Sequence, residues 1–311
     1  MDTSLRARVG QGSFGQVFKA VTSAGEVFAI KMLSKIDNNE KKEVAYKEFE
    51  LLRRCAHPNL LRLMQVYRIE TLPDAFFMVT DPWAPDTLLD FIDQSNVDRA
   101  SNFPWYRQGS ADSEKYCFIV LLGLANGLHH LHITGIKHKD IKPSNILIYR
   151  DDLADPKKQS NPWHVRPIIA DLGISKLVVS GGTTNFTNST YQYLAPEQVA
   201  HKDSSPKSDV FSMGCCFANI IAVLCRGSEG RELIKEAFMD FNRSCRYATE
   251  LPHVFKALDT IHANYASRRK LLLTSVKAML SEDPKDRPDS HMVTLELERI
   301  QQDGSETSWK G

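Results

Sequence analysis

Three hydrophobic patterns follow one another along the chain. Over residues 4–33, short apolar runs alternate with turn residues: Gly10, Gly12 and Gly15 punctuate the first part, and Val27-Phe28-Ala29-Ile30 makes a compact apolar stretch. This predicts strands joined by tight turns. Over residues 40–55 the period changes. A face rich in Glu and Lys stands opposite Phe49, Leu51, Leu52 and Cys55, which predicts a helix, and His57-Pro58-Asn59 stops it. Further strands are predicted near residues 60–68 and 75–80. Asp81-Pro82-Trp83-Ala84-Pro85 then reads as a hinge over 81–86, stiffened by two prolines that lack backbone donors. Beyond it, apolar residues recur every three or four positions over 87–94, 113–134, 208–225, 230–242 and 266–281, with Leu121, Leu122, Leu124, Leu128 and Leu131 as the clearest stripe. Polar stretches at 94–112 and 151–162 read as solvated connectors, and 304–311 as a frayed tail. The expected fold class is α+β: a small strand-rich lobe over 1–80 and a larger helical lobe over 87–303.

Composition adds few constraints. At 311 residues the chain is long enough for two lobes, and 42% hydrophobic with 25% charged residues argues against disorder. A net charge of +1 gives no broad attraction to nucleic acid or membrane surfaces. The six cysteines (Cys55, Cys117, Cys215, Cys216, Cys225 and Cys245) show neither a CxxC pair nor a zinc spacing and read as buried free thiols of a reducing compartment. Met1-Asp2-Thr3 leads into a polar segment without a signal pattern, and the most apolar run, Cys215 to Cys225, is too short to span a bilayer. An intracellular, cytoplasmic protein without a membrane span is expected.

The chemistry concentrates in His138-Lys139-Asp140-Ile141-Lys142-Pro143-Ser144-Asn145, followed by the strand-like Ile146-Leu147-Ile148. A carboxylate, a cation and an amide so close together are what phosphoryl transfer needs: one group orients the attacking hydroxyl, one neutralises the moving charge, and one offers a neutral oxygen to Mg²⁺. Gly10-Gln11-Gly12-Ser13-Phe14-Gly15 is a glycine loop able to present N–H groups to phosphates. A dinucleotide-binding turn would open a helix, whereas Val17-Phe18-Lys19-Ala20-Val21 continues as a strand. Ala29-Ile30-Lys31 sets a lysine on the next strand, and Glu43, Glu48 and Glu50 on the following helix are candidate partners. Asp171-Leu172-Gly173, after the apolar Pro167-Ile168-Ile169-Ala170, suits a Mg²⁺ ligand beside a flexible glycine.

Together these segments resemble the eukaryotic protein kinase family. The resemblance runs from Leu5 to about Arg299. It also takes in Ala195-Pro196-Glu197, Ser208-Asp209-Val210-Phe211-Ser212-Met213-Gly214 and Asp286-Arg287-Pro288. It implies a bilobal fold and a serine/threonine kinase that uses ATP and Mg²⁺ on a protein substrate. Gly10, Gln11, Gly12, Ser13, Phe14 and Gly15 would cover the nucleotide phosphates. Val17 and Ala29 would pack on the adenine, with Thr80, Asp81 and Trp83 completing the nucleotide site. Lys31 would bind the α- and β-phosphates, held by Glu48, which the resemblance selects by its distance from His57. Asp140 would orient the substrate hydroxyl, Lys142 would contact the γ-phosphate, and Asn145 and Asp171 would hold Mg²⁺. The resemblance also pairs Glu197 with Arg287, makes Asp209 the anchor of the catalytic loop, and stacks Leu52, Leu63, His138 and Leu172 into an apolar column.

Lys142 and Thr190 resemble serine/threonine rather than tyrosine kinases, and Ser144 stands where many basophilic members have glutamate. Lys139 replaces the usual arginine, which clamps a phosphorylated activation segment with a bidentate fork, by a point charge. Thr184 and Thr187 are the candidate regulatory hydroxyls. Leu172 replaces a common phenylalanine, Ser189 replaces a glycine, and Thr80 at the gatekeeper position leaves room behind the adenine. Two alternatives stay open: a kinase-fold binding protein with little turnover, and a kinase-like transferase acting on a small molecule.

Overall fold

The computed structural model describes residues 8–12, 15–34, 36–150, 165–171, 191–201, 204–239, 246–262 and 267–307. They group into two compact units, one of residues 1–86 with 147–185 and one of residues 87–146 with 186–311. The first boundary falls after Asp86, at the end of the expected hinge, whose Asp81–Pro82 peptide is cis.

The first unit is built on a sheet of β1 (Arg8–Gly12), β2 (Gly15–Val21), β3 (Val27–Leu33), β4 (Arg62–Ile69) and β5 (Leu72–Asp81), in the order β1-β2-β3-β5-β4 with antiparallel pairing throughout. The alternation read from the sequence sorts its side chains onto two faces. Ile30, Ala75 and Phe77 gather Phe18, Ala20, Met32, Tyr67 and Val79 on one face. The other face covers itself with α1 (Asn39–Arg54), burying Leu33, Phe49, Leu52, Leu63, Phe76 and Met78 in one core. Asn38 caps α1 by accepting from the Lys41 N–H at 2.9 Å, and the chain leaves the helix at Cys55.

After β6 (Asp86–Thr87), β7 (Ile146–Arg150) and β8 (Val165–Ile169) lie side by side in a small sheet. The sequence reading placed these residues in the larger lobe, whereas the described part of 147–185 groups with the first unit. Backbone pairing is the cause: Ile169 N–H donates to Asn59 O at 2.8 Å, Leu61 N–H donates to Ile169 O at 2.9 Å, and Asn59 Nδ2 donates to Pro167 O at 2.9 Å.

The second unit holds α2 (Leu88–Asp93), α3 (Asn96–Asn102), α4 (Ala111–Ile133), α5 (Pro196–Val199), α6 (Pro206–Phe238), α7 (Leu251–His262), α8 (Ser267–Met279) and α9 (Ser290–Thr307). Reciprocal bonds between Thr87 and Asp90 cap α2. The two helices expected over 208–225 and 230–242 are both present within α6, separated at Gly227, whose φ of 58° is not helical. The expected connector at 94–112 is a correction. It contains α3, and Phe103, Trp105 and Tyr106 are buried against Phe91. Arg99, fully buried, ties the segment to α2: Nε donates to Phe91 O at 2.7 Å, and the guanidinium also reaches Ile92 O and Gln94 O, so one side chain satisfies the carbonyls that end α2. At its far end α9 continues to Thr307.

Both α4 and α6 are long and apolar enough to cross a membrane by length and composition; the apolar window of α6 is wholly buried inside its unit and that of α4 half buried. The apolar stretch is thus longer than the run Cys215 to Cys225 alone indicated. The described cysteines are buried. Burial raises the thiols of Cys117, Cys215 and Cys216, and pushes Cys225 up to about 11.

Candidate active site

In the second unit, the loop between α4 and β7 is held from behind by one carboxylate. Asp209 stands in the first turn of α6, 2% exposed, and accepts the backbone N–H of His138 and of Lys139, each at 2.8 Å. His132, near the end of α4, meets the same carboxylate at 3.2 Å and reaches Ser290 Oγ with its other ring nitrogen at 3.0 Å. Lys139 takes φ 65°, a conformation L-residues with side chains rarely adopt, and this turn brings Asp140 inward. The Asp140 N–H donates to His138 Nδ1 at 3.3 Å.

The side chains of the loop converge. Asn145 Nδ2 donates to the Asp140 main-chain oxygen at 2.8 Å and to its Oδ2 at 3.0 Å. Lys142 Nζ lies 3.2 Å from the same Oδ2. All three residues are less than 10% exposed: Asp140 5%, Lys142 4% and Asn145 8%. Pro143 opens a single 3-10 turn, Pro143–Asn145, which fixes the offset between the acid and the amide. With both amide hydrogens committed to Asp140, the carbonyl is the end of Asn145 a cation would take.

In the first unit, the glycine segment is the hairpin of β1 and β2, with Gly10 opposite Val17, Gln11 opposite Gln16 and Gly12 opposite Gly15. Lys19 pairs with Ala29 and Ala29 with Thr80 across the sheet, while Val17 pairs with Lys31. Directly opposed residues share a face, so Val17, Lys19, Ala29, Lys31 and Thr80 all leave the sheet on one side. Lys31 Nζ contacts Asp171 Oδ1 at 2.6 Å, and Asp171, just beyond β8, has φ 63°. Trp83 lies under Lys19, whose Nζ is 4.4 Å from the indole centroid.

A buried ion pair braces the second unit. Arg287 meets Glu197 with a two-point fork, NH1 to Oε1 at 2.8 Å and NH2 to Oε2 at 2.7 Å, and Ser208 Oγ donates to Oε1 at 2.7 Å. Burial alone would raise the Glu197 carboxyl, but the bonds from Arg287 and Ser208 outweigh it and hold it below the usual carboxylate range.

Comparison with known proteins bears on the whole arrangement. Residues 4–296 match the family described as protein kinase domain. The chain belongs to the eukaryotic protein kinase family. It is 33% identical over 229 residues to cysteine-rich receptor-like protein kinase 26 of Arabidopsis thaliana, a match covering 70% of this chain and 30% of the relative. It is 30% identical over 221 residues to the serine/threonine-protein kinase cds1 of Schizosaccharomyces pombe, covering 67% of this chain and 42% of that protein. Cysteine-rich receptor-like protein kinase 22 of Arabidopsis thaliana matches 90% of the chain at 28% identity, over 40% of its own length. The chain therefore spans well under half the length of these relatives.

Within this kinase domain, the expected Asp140, Lys142 and Asn145 come together in one unit, and Lys31 and Asp171 in the other. Glu197 with Arg287 and Asp209 with the catalytic loop stand as the resemblance implied. Leu52 and Leu63 share one core. Ser13, Phe14, Leu172, Thr184, Thr187, Ser189 and Thr190 lie outside the described residues, as does the side chain of Glu48. Two residues escaped the sequence reading. His132 carried a signal, lying six positions before His138 with an apolar stripe between it and the helix start, but its bond to Asp209 depends on how α4 meets α6. Lys19 gave none, because its contact with Trp83 depends on strand order.

Proposed function

We propose that the chain is a serine/threonine protein kinase that transfers the γ-phosphoryl group of Mg-ATP to hydroxyls of a protein. The observation that carries this is the buried Asp140–Lys142–Asn145 set, in which a cation and an amide both meet Oδ2 of the acid. Such bonds fix the direction of the carboxylate, as a residue that orients a hydroxyl and accepts its proton requires. Lys142 is the cation for the γ-phosphate, and its presence on the loop favours serine and threonine acceptors. In the first unit, Lys31 serves the α- and β-phosphates, Glu48 serves Lys31, and the glycine hairpin of Gly10, Gln11, Gly12, Ser13, Phe14 and Gly15 covers the phosphates. Val17, Ala29, Thr80, Asp81 and Trp83 take the adenine. Asp171 and Asn145 offer a carboxylate and an amide oxygen, the hard donors Mg²⁺ prefers. When bound, Mg²⁺ neutralises charge on the phosphate oxygens. The burial of the described thiols supports an intracellular, reducing setting.

The second reading, a kinase-fold binding protein with little turnover, draws on Lys139 in place of the expected arginine. One experiment separates the two. Purified protein given Mg²⁺ and radiolabelled ATP is expected to label itself or a generic protein substrate, and Asp140→Asn to lose that labelling while keeping its thermal unfolding midpoint. Mg-ATP binding without transfer in the wild type supports the binding protein instead, and undiminished transfer by Asp140→Asn removes Asp140 from its role.

A further inference from the structure

Lys19, Ala29 and Thr80 form one row across β2, β3 and β5. At its centre Ala29 offers only a methyl group, so the row has a gap between a long cation and a buried threonine, Thr80 being 5% exposed. Neighbouring strands are about 4.8 Å apart, and Trp83 follows β5, two strands away from Lys19 in the sheet order. The two side chains nevertheless meet, with Nζ 4.4 Å from the indole centroid, so together they span the breadth of β3 on the side that also carries Val17 and Lys31. Among the described residues the indole is the ammonium's one close partner. A lysine held in this way has a reason to be there other than solvation.

We propose that Lys19 is a positioning residue for the nucleotide: by holding the Trp83 indole it fixes the outer wall of the adenine slot, opposite Thr80. The inference rests on the reading that this face takes ATP, and it adds a determinant of nucleotide affinity outside the glycine hairpin. Lys19 acts through the ring and does not touch the phosphates. The cation–π contact is worth roughly a two- to five-fold change in affinity at a half-exposed site. A guanidinium can take the ammonium's place over the ring.

The test uses the full chain, with Mg-ATP titrated calorimetrically and ATP kinetics measured on a peptide substrate. Lys19→Ala is expected to raise both Kd and KM for ATP roughly two- to five-fold, leaving kcat and the thermal midpoint in place. Lys19→Arg should restore the wild-type values. In a Trp83→Leu background, Lys19→Ala should cost nothing further, because the partner through which it acts is gone. An unchanged Kd in Lys19→Ala overturns the proposal, and so does an equal penalty in the Trp83→Leu background, which would mean that Lys19 meets the nucleotide itself. Either result leaves the kinase reading standing if the wild type binds Mg-ATP. Failure of the wild type to bind Mg-ATP removes both together.

Discussion

Breaking the Glu197–Arg287 pair should unfold the second unit more readily, by an amount the geometry sets. Arg287 is fully buried at its side chain and Glu197 is 9% exposed. Besides the fork, the guanidinium donates to Ser281 O at 2.7 Å, Glu282 O at 2.8 Å and Lys207 O at 3.1 Å, and it lies over the Phe211 ring at 5.0 Å. Glu197→Gln keeps the shape and removes the charge, which strands a buried cation at a cost of about 3–5 kcal/mol. Urea unfolding at neutral pH should show that loss as a lower midpoint. The pH dependence gives a sharper check. The Glu197 carboxyl is held below its unfolded value, so its contribution is present above the usual carboxylate range and is lost as pH falls through the folded value. Protonated Glu197 resembles glutamine, so the gap between wild type and Glu197→Gln should shrink as the solution is acidified. Replacing both partners, as in Glu197→Leu with Arg287→Met, should cost less than the sum of the single changes, since no unpaired charge remains. A gap under about 1 kcal/mol at neutral pH, or one that does not change with pH, would refute this account of the pair.

Other expectations follow from single residues. Gly227→Ala should lower stability by about 1–3 kcal/mol in urea unfolding, because φ is positive and the new Cβ would lie 2.2 Å from Asn96 Oδ1. Lys139→Gly should leave the thermal midpoint unchanged or raised, whereas Lys139→Val should lower stability by about 1–3 kcal/mol, as the turn at φ 65° excludes β-branched residues. Asp209→Ala should reduce kcat at least tenfold with little change in KM for ATP, since two loop N–H groups lose a charged acceptor worth about 1.5–3 kcal/mol each. A kcat within twofold of wild type would show that the loop holds its shape without Asp209.

The strands and α1 were legible because their signals are local: alternation, glycine punctuation and a charged face against an apolar one. The catalytic loop was legible because its chemistry sits within eight consecutive residues. What stayed hidden depends on partners far away in sequence. Nothing in Asn96–Asn102 advertises an anchored helix, since Arg99 alone is buried there and its acceptors are backbone oxygens that no sequence displays. Likewise Lys19 reads as a surface lysine until the order β2-β3-β5 sets it opposite Trp83. The grouping of β8 with the first unit depends on main-chain pairing at Asn59 and Leu61, which side-chain patterning does not encode.

Asp209 grips residues 138 and 139 through their main-chain N–H groups, so that grip is blind to what these positions carry as side chains. Position 139 is therefore open to exchange wherever the left-handed turn is tolerated, and the geometry of Asp140 survives the exchange.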